Sequence, residues 1–234
     1  DGGLPAVYPE SERMKSPFKN LSERIAAFDT VDLYPVITSE FCGGRDPLYV
    51  LRQVAEGGAT LVQLREKHLC ARDYFNLACR FREITSEFGM LLIIDDSVDI
   101  ALAVDADGVH LGQEDLPLTA AKRIAPELLI GISTHNREEG VAAMEDGAGY
   151  VNVGPIFATG TKAVPYKTVG LDVLAELAPT MPIPFSIMGG IKASHIPGLV
   201  RMGVKRIAMI TEITQAEDVR ARTEMLRNLI KENL

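Results

Sequence analysis

The strongest constraint on the fold is a regular alternation of short apolar segments with longer amphipathic ones. Eight runs rich in aliphatic and β-branched residues recur along the chain, and each is followed by a segment that suits a helix. The runs are 32–38, 60–66, 90–96, 108–113, 128–134, 150–157, 184–190 and 206–211. Strands that alternate with helices indicate a parallel sheet that is buried on both faces.

Eight strand–helix units in a chain of 234 residues predict an α/β fold, a single (β/α)8 TIM barrel, over residues 31–234. Doubly wound sheets usually have fewer strands. Glycine before several of the predicted strands ("GGAT", "DGAGY", "MGVKR") is the usual stop signal of a preceding helix. Residues 1–30 lack periodicity and are predicted to be an N-terminal arm, partly mobile or forming a short helix capped by Ser22.

Composition argues against several classes of function. The net charge of −8 makes a general attraction to nucleic acid improbable, and no apolar run is long enough to cross a membrane. The three cysteines, Cys42, Cys70 and Cys79, show no metal-binding spacing and cannot all pair with one another. A reduced cytoplasmic setting is therefore predicted, and a homo-oligomer is left open.

Residues at the carboxyl ends of the strands, most of them polar, are the candidates for a site, because (β/α)8 barrels carry their active sites at that end. The candidates are Gln63, Arg65 and Lys67 after the second strand, Asp95 and Asp96 after the third, Asp115 after the fourth, Ser133 at the fifth, Thr159, Thr161 and Lys162 after the sixth, Gly189 and Gly190 at the seventh, and Ile210 and Thr211 at the eighth.

The types of these residues indicate an anionic ligand. Arginine offers a bidentate fork to phosphate oxygens and lysine a point charge, so Arg65 and Lys67 suit a phosphorylated substrate. Carboxylates on neighbouring strands suit Mg²⁺, which takes few protein ligands beside water and substrate phosphates. The Gly189–Gly190 pair suits a second phosphate held by backbone N–H groups.

Each candidate also has an ordinary structural interpretation. Arg65 and Lys67 could be solvated surface charges, and Asp95 or Asp96 could cap the helix that follows. Asp115 could cap a helix that begins at Pro117. The functional interpretation rests on the placement of all of them at one end of the predicted barrel.

Several segments together resemble the thiamine-phosphate synthase family. They are "VQLREK", "IIDDSVDIALAVDADGVHLGQEDL", "IGISTHNREE", "VNVGPIFATGTK" and "MGGI", in this order over most of residues 32–211. "GVHLGQED" and "GPIFATGTK" are the most specific. The resemblance implies a transferase that joins two phosphorylated heterocycles and requires Mg²⁺. It implies 4-amino-5-hydroxymethyl-2-methylpyrimidine diphosphate and 4-methyl-5-(2-phosphoethyl)thiazole as substrates, with thiamine monophosphate and pyrophosphate as products.

The resemblance also implies a role for each site residue. Gln63, Arg65 and Lys67 would hold the pyrimidine diphosphate, and Asp96 and Asp115 would bind Mg²⁺. Contacts to the departing pyrophosphate would come from Ser133 and Lys162. The thiazole phosphate would be held by Thr159, Thr161, Gly190, Ile210 and Thr211, with Gly189 as an equally possible donor.

One residue departs from the family pattern, which has Asn-Asp where this chain has Asp95-Asp96. An ionised Asp cannot donate a hydrogen bond to a phosphate oxygen, so Asp95 either joins the metal shell or weakens diphosphate binding. Two other functions remain open: a thiazole tautomerase-like relative on the same fold, with His135 where a base could lie, and a non-catalytic barrel that binds phosphorylated ligands.

Overall fold

A computed structural model describes residues 15–159 and 168–234 of the chain. Eight parallel strands pair in chain order and close into a barrel, with β1 next to β8. The strands are β1 Leu33–Ile37, β2 Leu61–Leu64, β3 Leu91–Asp95, β4 Gly108–Leu111, β5 Leu129–Thr134, β6 Tyr150–Val153, β7 Phe185–Ile187 and β8 Ile207–Met209. The predicted (β/α)8 fold is therefore confirmed.

Helices surround the barrel in alternation with the strands. Those in the described part of the chain are α1 Leu21–Asp29, α2 Pro47–Glu56, α3 Ala71–Glu87, α4 Val98–Ala103, α5 Leu118–Ile124, α6 Arg137–Glu145, α7 Gly170–Leu177, α8 Ile196–Arg201, α9 Thr211–Thr214 and α10 Val219–Lys231. None of these helices combines the length and the apolar character needed to span a membrane.

All eight predicted strands exist, and each is shorter than its apolar run. In the run 150–157 the strand ends at Val153. Gly154 and Pro155 follow, and Pro155 has no N–H to donate to a neighbouring strand. In the run 184–190 the strand ends at Ile187, before Gly189 and Gly190, whose backbones have positive φ. Strand ends were overestimated because rim loops continue the β-like composition of the strands.

The helix boundaries follow local capping chemistry. Asn136 caps α6, since its side chain accepts from the N–H of Glu139 at 2.8 Å. The predicted cap of α1 is wrong: Asn20, not Ser22, accepts from the N–H of Glu23. Both residue types cap helices well, so sequence preference did not separate them.

The amino-terminal end of the barrel is closed by α1. Phe28 of this helix is buried against Tyr150 inside the barrel, with ring centroids 4.3 Å apart. The Arg206 guanidinium lies over the same ring, 5.2 Å from its centroid. The predicted short helix of the arm is thus present, while the division of the chain at residue 31 stays a prediction. With its lower end filled, the barrel is open to ligands at its carboxyl rim.

Candidate active site

Two cations from β2 and an acid from β3 meet at the carboxyl rim. Asp95 Oδ2 lies 3.4 Å from Nε of Arg65 and 3.2 Å from Nζ of Lys67. Tyr74 of α3 bridges the two strand ends, because its hydroxyl donates to the Leu64 carbonyl at 2.8 Å and accepts from the Asp95 N–H at 3.2 Å. The cations are therefore not freely solvated surface charges.

Lys67 also forms an ion pair with Asp96. Burial acts to lower the pKa of Lys67, but Asp95 and Asp96 outweigh it and raise that pKa, so the ammonium stays charged. Asp96 has a left-handed backbone, with φ of 62°, and its N–H donates to the carbonyl of His110 at 2.8 Å. This turn directs the end of β3 toward the end of β4.

Asp115 completes the acidic part of the rim. Its Oδ2 accepts from the N–H of Gly112 at 2.6 Å, which holds the loop after β4 in place. Burial raises the pKa of Asp115, and the neighbouring Asp96 raises it further against the opposing effects of Gly112 and Lys67. The carboxylate of Asp96 therefore lies close enough to disfavour the charge of Asp115.

The capping interpretations of these acids are wrong. Helix α5 has Pro117 at its N-cap and α4 has Ser97, and neither helix start is capped by a side-chain hydrogen bond. The carboxylates of Asp95, Asp96 and Asp115 instead face the rim cations or one another.

The donor set of Asp96 and Asp115 fits Mg²⁺. Asp96 raises the pKa of the adjacent Asp115, and a divalent cation between the two carboxylates would relieve this repulsion. Within residues 15–159 and 168–234, no group of three or more His, Cys, Asp or Glu side chains forms a metal cage. A metal with few protein ligands, completed by water and substrate phosphate oxygens, matches two carboxylates better than a closed site would.

Ser133 of β5 lies inside the barrel beside β4. Its hydroxyl is 2.9 Å from Nε2 of His110, and its backbone carbonyl accepts from the Gln113 side chain at 2.6 Å. His110 is buried, and it makes a direct polar contact with a predicted site residue.

A cavity of about 260 Å³ opens between the ends of β5 and β8. The residues predicted to hold the second phosphate that the structure describes all line it: Thr159, Gly189, Gly190, Ile210 and Thr211. Gly189 and Gly190 have φ of 100° and 62°, and a side chain on either would meet the loop after β6 at Pro155 or Ala158. Glycine is therefore required for this approach of two rim loops.

Ser133 also lines this cavity, whereas Arg65, Lys67 and the acids lie beside β2 to β4. The predicted site thus has two neighbouring parts, joined at β4 and β5 by the contact between His110 and Ser133. Thr161 and Lys162 lie outside the described residues, and their predicted roles stay predictions.

Two buried polar side chains, Gln63 and Asn152, each have an atom without a hydrogen-bond partner among the described residues. These atoms are the Nε2 of Gln63 and the Oδ1 of Asn152. Asn152 lines the cavity and was missed, although a polar residue in the middle of "YVNV" was a usable signal. Buried polar atoms without partners are expected where a ligand completes the hydrogen bonding.

A closed parallel barrel with paired cations and a glycine-lined cavity at its carboxyl rim defines the class: a (β/α)8 barrel of the kind that carries an active site at that rim. Comparison with known proteins narrows this class. The family model described as thiamine monophosphate synthase matches residues 33–213.

The curated relatives carry the same description. A thiamine-phosphate synthase of Chloroflexus aurantiacus is 41% identical over 198 residues, which is 85% of this chain and 92% of that protein. One from Caldicellulosiruptor saccharolyticus is 36% identical over 211 residues, 90% of this chain and 96% of that protein. A solved thiamine phosphate pyrophosphorylase from Pyrococcus furiosus has a TM-score of 0.82 and 37% identity, covering 88% of this chain and 98% of its own.

The chain belongs to the thiamine-phosphate synthase family, a family of transferases. The family resemblance drawn from the sequence motifs is confirmed. None of these findings favours the tautomerase-like or the non-catalytic alternative.

Proposed function

We propose that this chain joins 4-amino-5-hydroxymethyl-2-methylpyrimidine diphosphate to 4-methyl-5-(2-phosphoethyl)thiazole, releasing thiamine monophosphate and pyrophosphate. The observation that carries the proposal is the meeting of Arg65 and Lys67 with the acids of β3 and β4 beside a glycine-lined cavity. Cations beside a carboxylate pair suit a metal-bound diphosphate, and a separate glycine-lined wall suits a second phosphate.

The reaction breaks the bond between the pyrimidine methylene carbon and the diphosphate oxygen. The aminopyrimidine ring stabilises the positive charge that develops at this carbon, and the thiazole nitrogen then forms the new carbon–nitrogen bond. The electron pair of the broken bond leaves with the pyrophosphate. This dissociative displacement asks the protein for charge stabilisation and positioning more than for proton transfer.

The cations of the rim supply the charge stabilisation. Arg65 and Lys67 neutralise the charge that grows on the leaving pyrophosphate, with Lys162 as a third cation and Ser133 as a hydroxyl contact. Asp96 and Asp115 would hold Mg²⁺, which when bound adds positive charge at the same phosphate oxygens. Gln63 supports the pyrimidine ring through its buried amide nitrogen, which has no hydrogen-bond partner among the described residues.

The cavity walls supply the positioning of the thiazole. Within the described part of the chain, no backbone carbonyl accepts from the N–H of Gly189 or Gly190. These two donors, with Thr159, Thr161 and the segment 210–211, hold the thiazole phosphate. The site thereby brings the thiazole nitrogen to the carbon from which pyrophosphate departs.

Substitution of Gly190 by Ala tests the thiazole part separately. The new methyl group would lie against the carbonyl of Ala158 at a φ of 62°, so the loop must shift. We expect the KM for the thiazole phosphate to rise about tenfold, the scale of one misplaced hydrogen bond to a charged group. The KM for the pyrimidine diphosphate should change little.

The matched control is Gly203→Ala, which has a φ of 90° but no atom within 4 Å of the added methyl group. It also places a methyl group on a backbone of positive φ, away from the cavity. A Gly190→Ala enzyme with the kinetic constants of the Gly203→Ala enzyme would contradict the assignment of the thiazole phosphate to this wall.

Asp95 is proposed to weaken diphosphate binding rather than to bind the metal. Its carboxylate is paired with both Arg65 and Lys67, the cations that the diphosphate needs. We expect Asp95→Asn to lower the KM for the pyrimidine diphosphate about tenfold, since a neutral amide frees both cations and can donate to a phosphate oxygen. Asp99→Asn, at an exposed position in the first turn of α4, is the control for this change. An unchanged or higher KM for Asp95→Asn would contradict this role.

A direct assay tests the proposed function. The purified chain receives both heterocycles with Mg²⁺, and thiamine monophosphate and pyrophosphate are measured together. Equal amounts of the two products are expected. Absence of both products from a folded protein would overturn the proposal, and turnover of a thiazole carboxylate phosphate alone would favour the tautomerase-like function. A cytoplasmic location and assembly into a homo-oligomer remain parts of the proposal that other measurements must test.

A further inference from the structure

Four buried side chains form a continuous hydrogen-bonded chain from the cavity into the barrel. Ser133 Oγ lies 2.9 Å from Nε2 of His110, and Nδ1 of the same ring lies 3.1 Å from the hydroxyl of Tyr150. The Tyr150 hydroxyl lies 2.8 Å from that of Tyr34. The four residues come from β5, β4, β6 and β1, and all are buried. Of these four residues, the proposed reaction uses only Ser133.

The hydrogen bonds of this chain can run in two directions. A neutral imidazole has one donor and one acceptor nitrogen. If Tyr150 donates to Nδ1, Nε2 carries the proton and donates to Ser133. If Nδ1 carries the proton, Ser133 must donate to Nε2. The orientation of the Ser133 hydroxyl therefore depends on the tautomer of His110.

The two ends of the hydrogen-bonded series, the hydroxyls of Tyr34 and Ser133, decide between these directions. If the protons point away from the cavity, the Tyr34 hydroxyl carries the last one. Within the described part of the chain this hydroxyl has no partner besides Tyr150. An unpaired buried donor is destabilising, whereas a hydroxyl oxygen with a spare lone pair costs much less. If the protons point toward the cavity, the last one belongs to Ser133, which meets water or ligand there.

Both phenols retain the protons that this direction requires. Burial raises the pKa of Tyr34 and of Tyr150 above the usual value, and the carboxylate of Asp95 raises both further. Neither group ionises near neutral pH, so each remains able to donate.

We propose that Tyr150 and His110 position Ser133: Tyr150 donates to Nδ1 and so holds His110 as the Nε2–H tautomer, which turns the Ser133 hydroxyl hydrogen toward the ligand. The inference rests on the proposed function only for the identity of the acceptor, a phosphate oxygen of the leaving group. With the opposite tautomer, Ser133 would present lone pairs to an anion and would repel it. His110 and Tyr150 are thus positioning residues that act through Ser133.

The tautomer of His110 is measurable by nitrogen NMR of the full chain labelled at histidine, without ligand. The chain has four histidines. The signals of His68, His135 and His195 are assigned with single Gln variants. We expect His110 to carry its proton on Nε2 in the unmodified protein and in Tyr34→Phe, where Tyr150 still donates to Nδ1. Tyr150→Phe should give a mixture of tautomers. A proton on Nδ1 in the unmodified protein would overturn the proposal.

Kinetics test the coupling to Ser133. We expect Tyr150→Phe to lower kcat about threefold to tenfold, the scale of one hydrogen bond, and Tyr34→Phe to lower it at most about twofold. In a Ser133→Ala background, Tyr150→Phe should lower kcat less than about twofold further, because residues that act through one group are not additive.

A purely structural role for Tyr150 predicts a different pattern. The two Tyr→Phe changes each remove one buried hydroxyl, and packing loss from Tyr150→Phe would persist in the Ser133→Ala background. If the fold losses of kcat from Tyr150→Phe and Ser133→Ala multiplied in the double variant, the proposal would be overturned. If the unmodified chain makes no thiamine monophosphate, the proposed function fails, while the tautomer measurement still decides how the chain of side chains is oriented.

Discussion

Replacing Arg65 with Ala is expected to lower kcat about 10²–10³-fold, the scale of removing one preorganised charged group from a reacting centre. Arg65 is mostly buried at the end of β2, and its guanidinium is held by Asp95 at 3.4 Å. In the proposed reaction this cation faces the charge that develops on the leaving pyrophosphate. The loss should therefore appear in kcat, measured by pyrophosphate release at saturating substrates.

Arg52→Ala is the matched control for Arg65→Ala. Arg52 lies on α2, outside the barrel, and its exposed side chain pairs with Glu87 at 3.1 Å. Exposed pairs of this kind contribute about 0–1 kcal/mol to stability, so this variant should keep its activity. Unchanged turnover by a folded Arg65→Ala enzyme would remove the second strand from the proposed diphosphate pocket.

Replacing Asp96 with Asn is expected to lower kcat about 10³-fold at a fixed low Mg²⁺ concentration, since a bound metal ion contributes several kcal/mol to charge stabilisation. Asn is the suitable replacement because it tolerates the left-handed backbone of Asp96, whose φ is 62°. The change removes one carboxylate charge without forcing the turn to rearrange. The Mg²⁺ concentration needed for half-maximal rate should rise.

Asp105 offers a matched control at the opposite end of the barrel. It is the other described residue besides glycine with a left-handed backbone, with a φ of 54°, and it lies in the loop before β4. Asp105→Asn makes the same chemical change far from the carboxyl rim. If Asp96→Asn kept the Mg²⁺ dependence of the Asp105→Asn enzyme, Asp96 would not be a metal ligand.

Much of the fold followed from periodicity. Each apolar run is long enough for one strand and is followed by a helix-length segment, so the count of eight units pointed to a closed barrel. The convergence of Arg65 with Asp95 and Asp96 followed from the same topology, because parallel strands end at one rim. Chain topology thus predicted which residues meet, without any knowledge of their rotamers.

The pairing within the rim did not follow from the sequence. Asp95 was expected in the metal shell or near the diphosphate, and its contacts with both Arg65 and Lys67 depend on side-chain directions at two strand ends. The link from His110 to Ser133 depends on the stagger of β4 against β5, which periodicity does not specify. Capping of a helix by Asp115 was a serious alternative, but the N–H of Gly112 is the backbone partner of that carboxylate.

The central claim is that the rim cations and the rim acids bind a single metal–diphosphate unit. A crystal structure of the chain with pyrophosphate and Mn²⁺, whose anomalous scattering locates the metal in place of Mg²⁺, tests it most directly. The account predicts one pyrophosphate in contact with Arg65, Lys67 and Lys162, and one metal between it and the carboxylates of Asp96 and Asp115. Pyrophosphate bound away from Arg65, or a metal that touches neither Asp96 nor Asp115, would contradict the account.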